Sequence, residues 1–132
     1  LSRALAAYGA ALVAIGLLDY LWLRVIATSW YEGGMGDLLA PKPNLVAAAA
    51  FYFLYPVGVV VFAGLPAGGD WVRALLVGAL FGAFCYGTYD LTALAVLRGY
   101  PAWLAALDIA WGTFVSAAGA VAAALAVRAV AG

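Results

Sequence analysis

Long apolar stretches separated by short polar breaks dominate this chain, and none of the stretches shows the strict two-residue alternation of a half-buried strand. Four stretches stand out, over residues 4–27, 45–65, 72–97 and 103–130. Each supplies the roughly 20 residues a helix needs to cross about 30 Å of hydrocarbon. A membrane β-barrel would instead show short alternating segments between turns. The pattern predicts an all-α integral membrane four-helix bundle, one transmembrane domain over residues 1–132, with both termini on the same side.

The breaks carry turn chemistry. Residues 66–71 (PAGGDW) and 98–102 (RGYPA) are predicted tight turns built on Gly and Pro. The longest break, residues 28–44, reads as a loop. Its Gly33, Gly34 and Gly36 do not form a phosphate loop, because no strand precedes them and no Gly-Lys-Ser/Thr follows. Trp30, Tyr31, Trp71, Tyr100 and Trp103 fall at span ends and are expected at headgroup level, where amphipathic rings are favoured. Arg3 ahead of the first span imitates a signal peptide. The length of that span, its embedded Asp19 and the lack of a small-x-small site near its end argue against removal.

Composition narrows the chemistry. The chain is 69% hydrophobic and 9% charged, far from the soluble norm of roughly 45–50% and 25%. Six basic residues balance six acidic ones, so there is no nucleic-acid footprint. The absence of histidine excludes histidine-ligated haem and Ser-His-Asp catalysis. Lys42, the one lysine, falls in a loop, which argues against an intramembrane retinal Schiff base. Cys85 is the lone cysteine and reads as a packing residue. No haem, retinal or zinc site is expected, and a metal would have to be held by oxygen ligands. The expected setting is the inner membrane of a bacterium, crossed several times. The Lys/Arg count is tied between the two faces, but if Arg24 and Arg98 serve the acidic residues, the termini lean cytoplasmic.

Three aspartates lie inside these spans: Asp19, Asp90 and Asp108. Each costs roughly 2.5–3.5 kcal/mol on an insertion scale, so such groups face a bundle interior or a wet cavity. Asp19 lies about 5 Å and Asp90 about 8 Å past the middle of their parallel spans, at 1.5 Å per residue. Asp108 opens the antiparallel fourth span. All three therefore fall in one half of the membrane, opposite the termini. Arg24 is expected beside them as a charge balancer. Tyr86 and Tyr89 share a helical face with Asp90, Thr92 follows, and Tyr52 enters from the second span. Pro56 should free the carbonyl of Tyr52. Small residues form packing faces: Gly78 and Gly82 on the third span, and Gly112, Ser116 and Gly119 on the fourth. Gly9 and Gly16 are expected on a packing face with Asp19.

The segments Leu18-Asp19-Tyr20-Leu21-Trp22-Leu23, Phe51-Tyr52-Phe53-Leu54-Tyr55, Tyr86-Gly87-Thr88-Tyr89-Asp90-Leu91-Thr92 and Asp108-Ile109-Ala110-Trp111-Gly112-Thr113 resemble an uncharacterised family of bacterial four-helix membrane proteins, domain of unknown function 2177. The similarity covers nearly the whole chain. It departs at Ala93, where the family pattern often carries Asn. The resemblance implies a four-helix membrane protein and supplies no activity.

Three functions remain open. The favoured one is binding or transport of a small molecule, ion or proton, with Asp90 as the central titrating group and Asp19 its partner; four helices enclose little, so a homodimer is expected. The second is an accessory subunit of a larger membrane complex, in which the aspartates serve assembly. The third is a membrane enzyme acting on lipid or isoprenoid, ranked last because no acidic pair at i, i+4 and no activated nucleophile is present. A purely structural reading competes with all three, in which the aspartates pair with Arg24, Arg98 and the tyrosines to lock the helices in register.

Overall fold

The computed structural model describes residues 1–131. Helix α1 covers Ser2–Leu21 and continues as one π turn over Trp22–Ile26. A short helix α2 (Thr28–Met35) and a 3₁₀ turn (Gly36–Leu38) follow. Helix α3 covers Leu45–Val59 and ends in a second π turn, Val60–Gly64. Helices α4 (Trp71–Val96) and α5 (Ala102–Ala131) complete the chain. Among the described residues there is no strand, and four helical stretches of 25, 20, 26 and 30 residues are long and apolar enough to cross a membrane.

Local chemistry sets the helix starts. The Asn44 side chain accepts from the Ala47 amide at 3.1 Å, and Asp70 accepts from the Val72 and Arg73 amides at 3.0 and 3.3 Å. Each cap satisfies amides that a helix start leaves without partners. The two tight turns rest on left-handed glycines, Gly68 and Gly69 before α4 and Gly99 before α5.

The segment expected to be a loop is largely ordered. After the π turn, in which the Ala27 amide reaches back to the Trp22 carbonyl at 2.7 Å, the chain redirects into α2. The Thr28 hydroxyl donates to the Leu23 carbonyl and seals that turn. The glycines of this segment hide the helix, since Gly33 and Gly34 weaken its propensity. Gly34 lies against Trp103 and Leu104, which brings α2 onto the start of α5.

Helix α5 is the axis of the bundle. It packs along α1 on one side and α4 on the other, and the end of α3 closes the far end. Its buried stripe is mostly small: Ala105, Gly112, Ser116, Ala117, Gly119, Ala120, Ala123 and Ala124. The large apolar side chains, among them Leu17, Phe53, Leu54, Phe84 and Leu91, point outward. This inverts a soluble core, because lipid solvates large apolar groups and close backbone contact holds the helices together.

The contacts are tight. A Cβ on Gly78 would come within 2.6 Å of the Ala120 Cβ, and one on Gly119 within 2.8 Å of Ile15 Cδ1. A Cβ on Gly82 would run into the backbone carbonyl of Gly112 and into Ser116, and one on Gly112 into the ring of Tyr86. Gly9 and Gly16 behave otherwise. Nothing lies within 4 Å of a Cβ built on either, so they are not on the packing face. The buried face of α1 is Ala7, Ala11, Ile15 and Asp19, a four-residue repeat that rotates away from both glycines. Gly82→Ala should therefore cost about 1–3 kcal/mol through overpacking against a backbone that cannot yield. Gly16→Ala should be neutral. Reversible unfolding of the two variants in mixed micelles would compare them directly.

Candidate functional site

The three aspartates reach one region of the bundle, each from a different helix. Asp19 in α1 is buried and accepts from the indole Nε1 of Trp111 on α5 at 2.6 Å. Trp111 stacks flat on Trp22, with centroids 4.4 Å apart and planes 3° from parallel. Trp22 Nε1 donates to the Tyr31 hydroxyl at 3.0 Å, and that hydroxyl donates to Asp108 Oδ1 at 2.6 Å. The stacked indoles thus join two chains of hydrogen bonds, Trp111 directly to Asp19 and Trp22 through Tyr31 to Asp108. Helix α2 exists in the right place to supply Tyr31 because the π turn at the end of α1 folds the chain back over α5.

Asp90 adjoins Asp108 but lies outside the cavity wall. It has 0% exposure and accepts from the Tyr100 hydroxyl at 2.7 Å, from the α4–α5 turn. Its second oxygen is buried without a hydrogen-bond partner. Asp108 stands close enough to act on it electrostatically.

A cavity of about 370 Å³ opens beside this network. Helices α1 and α2 supply Asp19, Trp22, Leu23 and Tyr31 to its wall. Helix α3 supplies Phe51, Tyr52 and Tyr55, α4 supplies Cys85, Tyr86 and Tyr89, and α5 supplies Asp108 and Trp111. Tyr55 is fixed by a 2.6 Å hydrogen bond with the buried Ser116, and packs at 5.8 Å from Phe81 and 5.9 Å from Tyr86. Tyr86 is fixed by Gly112, whose missing side chain leaves room for the ring. Tyr52 sits beside the Asp19 carboxyl. Helices α3 and α4 meet mainly at the π turn of α3 and diverge toward the cavity. No α3 residue before Pro56 is buried, so the cleft between the two helices stays open on the lipid-facing side.

Several sequence expectations need revision here. Asp90, expected at the centre, does not line the cavity, because Tyr100 and the α4–α5 packing seal it. Asp19 and Asp108 hold the wall instead. Arg24 is exposed and lies outside the cavity; among the described residues the charges acting on Asp19 and Asp90 come from Asp108 and not from an arginine. Arg24 and Arg98 near the helix ends extend outward, as long cationic side chains do at an interface. Thr92 is also exposed, and its hydroxyl returns to the Thr88 and Tyr89 carbonyls of its own helix. Tyr52, Tyr86 and Tyr89 do reach the cavity. The Phe53 carbonyl, next to that of Tyr52 and within the turn Pro56 disrupts, accepts from Tyr8 at 2.9 Å.

Sequence reasoning missed the donors. Tyr31 and Tyr100 turn inward from positions read as headgroup anchors, and Trp22, Tyr55 and Trp111 were not singled out. The signal available was chemical: three acids without nearby cations require neutral donors at the same depth, and the rings at the span ends were the ones present. Among the described residues no group of three Asp, Glu, Cys or His side chains stands close enough to hold one metal ion.

Tyr31 and Tyr100 lie outside the spans. Burial, then the hydrogen bond to a carboxyl, pushes both hydroxyls above the ordinary tyrosine value of 10.0. The folded chain keeps these protons where the unfolded chain releases them. The stability they contribute is therefore fully present below the unfolded value and falls as pH rises past it. Tyr31→Phe should flatten the decline in melting temperature between about pH 9 and 12, set by the raised value above the usual 10. It should also lower stability at neutral pH by about 1–3 kcal/mol, because Trp22 Nε1 and Asp108 each lose a partner. Melting curves of wild type and variant across that range would test both effects.

No curated protein and no solved structure matches the chain. A family model described as a predicted membrane protein (DUF2177) matches residues 4–125. The match takes in the three aspartates, the stacked tryptophans and every residue of the cavity wall. On that coverage, together with four membrane-length helices packed in one bundle, the chain belongs to the domain of unknown function 2177 family of predicted membrane proteins.

Proposed function

We propose that this multi-pass membrane protein binds a small molecule in the cavity beside Asp19 and Asp108, as a carrier or receptor within the bilayer. The observation that carries this reading is the cavity itself: about 370 Å³, walled by aromatic rings, with two carboxyls in its wall. Pockets of 300–1,000 Å³ lined by apolar and aromatic groups, with a few placed polar ones, are the usual form of small-molecule sites. A carboxyl at membrane depth also exchanges between charged and neutral forms, which suits coupling of binding to a proton. Pure helix glue requires no cavity, and the acids have neutral donors rather than ion pairs, so the register-lock reading accounts for less of the geometry. Asp19 and Asp108 are the binding carboxyls in this reading, Tyr52, Tyr86 and Tyr89 the ligand-contacting rings, and Asp90 a positioning residue behind Asp108. The inner membrane, with cytoplasmic termini, is the proposed location, and a homodimer the proposed assembly.

Native mass spectrometry of the protein released gently from its own membrane is the direct test. The expected result is a chain or homodimer carrying a removable small mass, with occupancy reduced at least tenfold in Asp19→Asn. A defined complex with other subunits and no small mass would overturn the proposal in favour of an accessory-subunit role.

A further inference from the structure

We infer that the occupant of the cavity is an organic cation with an apolar body, admitted sideways from the lipid through the cleft between α3 and α4. This deepens the binding reading above and rests on it.

The wall decides the charge. Eight of its twelve residues are aromatic, two are aspartates and none is basic. Asp19 and Asp108 each have one oxygen engaged, by Trp111 and Tyr31 respectively. Tyr52, itself in the wall, adjoins the Asp19 carboxyl, and Asp90 adjoins that of Asp108, so both carboxyls stand in the wall with neutral or acidic neighbours and no basic one. An anion would meet two carboxyls and the negative faces of the rings. A neutral apolar molecule would leave the carboxyls desolvated and unmatched. A cation finds both a countercharge and ring faces, the arrangement by which aromatic cages hold quaternary ammonium groups.

The wall also decides against an inorganic ion. Metal cations favour several converging carboxylates, and no group of three Asp, Glu, Cys or His side chains stands together among the described residues. Leu23, Phe51 and the flat rings of Trp22 and Trp111 instead match a body of carbon.

The entry route follows from the helix arrangement. Helix α3 carries its ring-bearing segment, Phe51 to Tyr55, on the part of the helix that has no buried residue and little close backbone approach to α4. Beyond Tyr55, which packs on Phe81 and Tyr86, no close backbone approach of α4 to α3 shuts this side of the cavity. Compounds that partition into the bilayer through an apolar body, while keeping a charged head, match both the site and its door.

Purified full-length protein in lipid nanodiscs can be titrated by tryptophan fluorescence with three probes. These are benzyltrimethylammonium, its neutral isostere neopentylbenzene, and benzyldimethyldodecylammonium, whose tail is too long for the cavity. The expected result is binding of the first at least tenfold tighter than the second, and of the third at least as tight as the first, its tail lying out through the cleft. Asp19→Asn combined with Asp108→Asn should abolish the preference for the cation while sparing neopentylbenzene. The isostere comparison uses wild type alone and holds even where the double variant does not fold. Equal binding of cation and isostere would overturn the charge assignment and leave the cavity reading intact. Loss of binding on adding the long tail would overturn the lateral route. No binding by any of the three would overturn this inference, and an empty site in native mass spectrometry would extend that failure to the binding reading itself.

Discussion

The structure depends on how little side chain α5 carries where its neighbours press on it. Gly112 accepts the ring of Tyr86, Ser116 and Ala120 accept the backbone of α4 at Gly82 and Gly78, and Gly119 accepts Ile15 of α1. In lipid there is no hydrophobic drive for helices to associate, so close approach of this kind supplies the cohesion. The same contacts place the chemistry. Asp108 and Trp111 lie within a turn of Gly112 on α5, and the depth at which Tyr86 docks sets where the cavity begins. Packing and site are one arrangement seen at two heights along the same helix.

The acidic residues are settled by a second constraint, the absence of water from hydrocarbon. Each carboxyl must find a donor inside the protein. This chain meets that need with indole N–H and phenol O–H groups, from Trp111, Tyr31 and Tyr100. These donors hold the acids in place without neutralising them, as an arginine would. That leaves an acidic aromatic cavity with no built-in countercharge, which is the property on which a ligand-binding reading turns.

The four spans, the shared depth of the three aspartates and the small-residue faces of α4 and α5 were all legible in the sequence, because hydropathy, helix rise and residue size are one-dimensional properties. What could not be read was rotation and partner choice. Gly9 and Gly16 share a helical face with Asp19 by spacing, yet the buried repeat of α1 runs through alanines whose role depends on where α5 lies. Arg24 is the natural partner for Asp19 by sequence distance, but its length lets it reach the interface, where it is solvated at lower cost. The helix over residues 28–35 was masked by glycines and is held by contact with Trp103 and Leu104 on α5. The donors from Tyr31 and Tyr100 sit in connections, and a connection's direction is a tertiary property.

The central position of α5 bears on how the molecule assembles during synthesis. α5 follows the other three spans along the chain, so α1, α3 and α4 enter the bilayer before the helix that organises them has been made. Until it arrives, Asp19 lacks Trp111, and the glycines of α4 have no backbone to approach. The early spans must tolerate their acids alone, shielded by protonation or by water drawn toward the headgroups. Arrival of α5 brings Trp111 to Asp19 and Asp108 to Tyr31, and closes the bundle. The step that adds α5 is then also the step that creates the cavity.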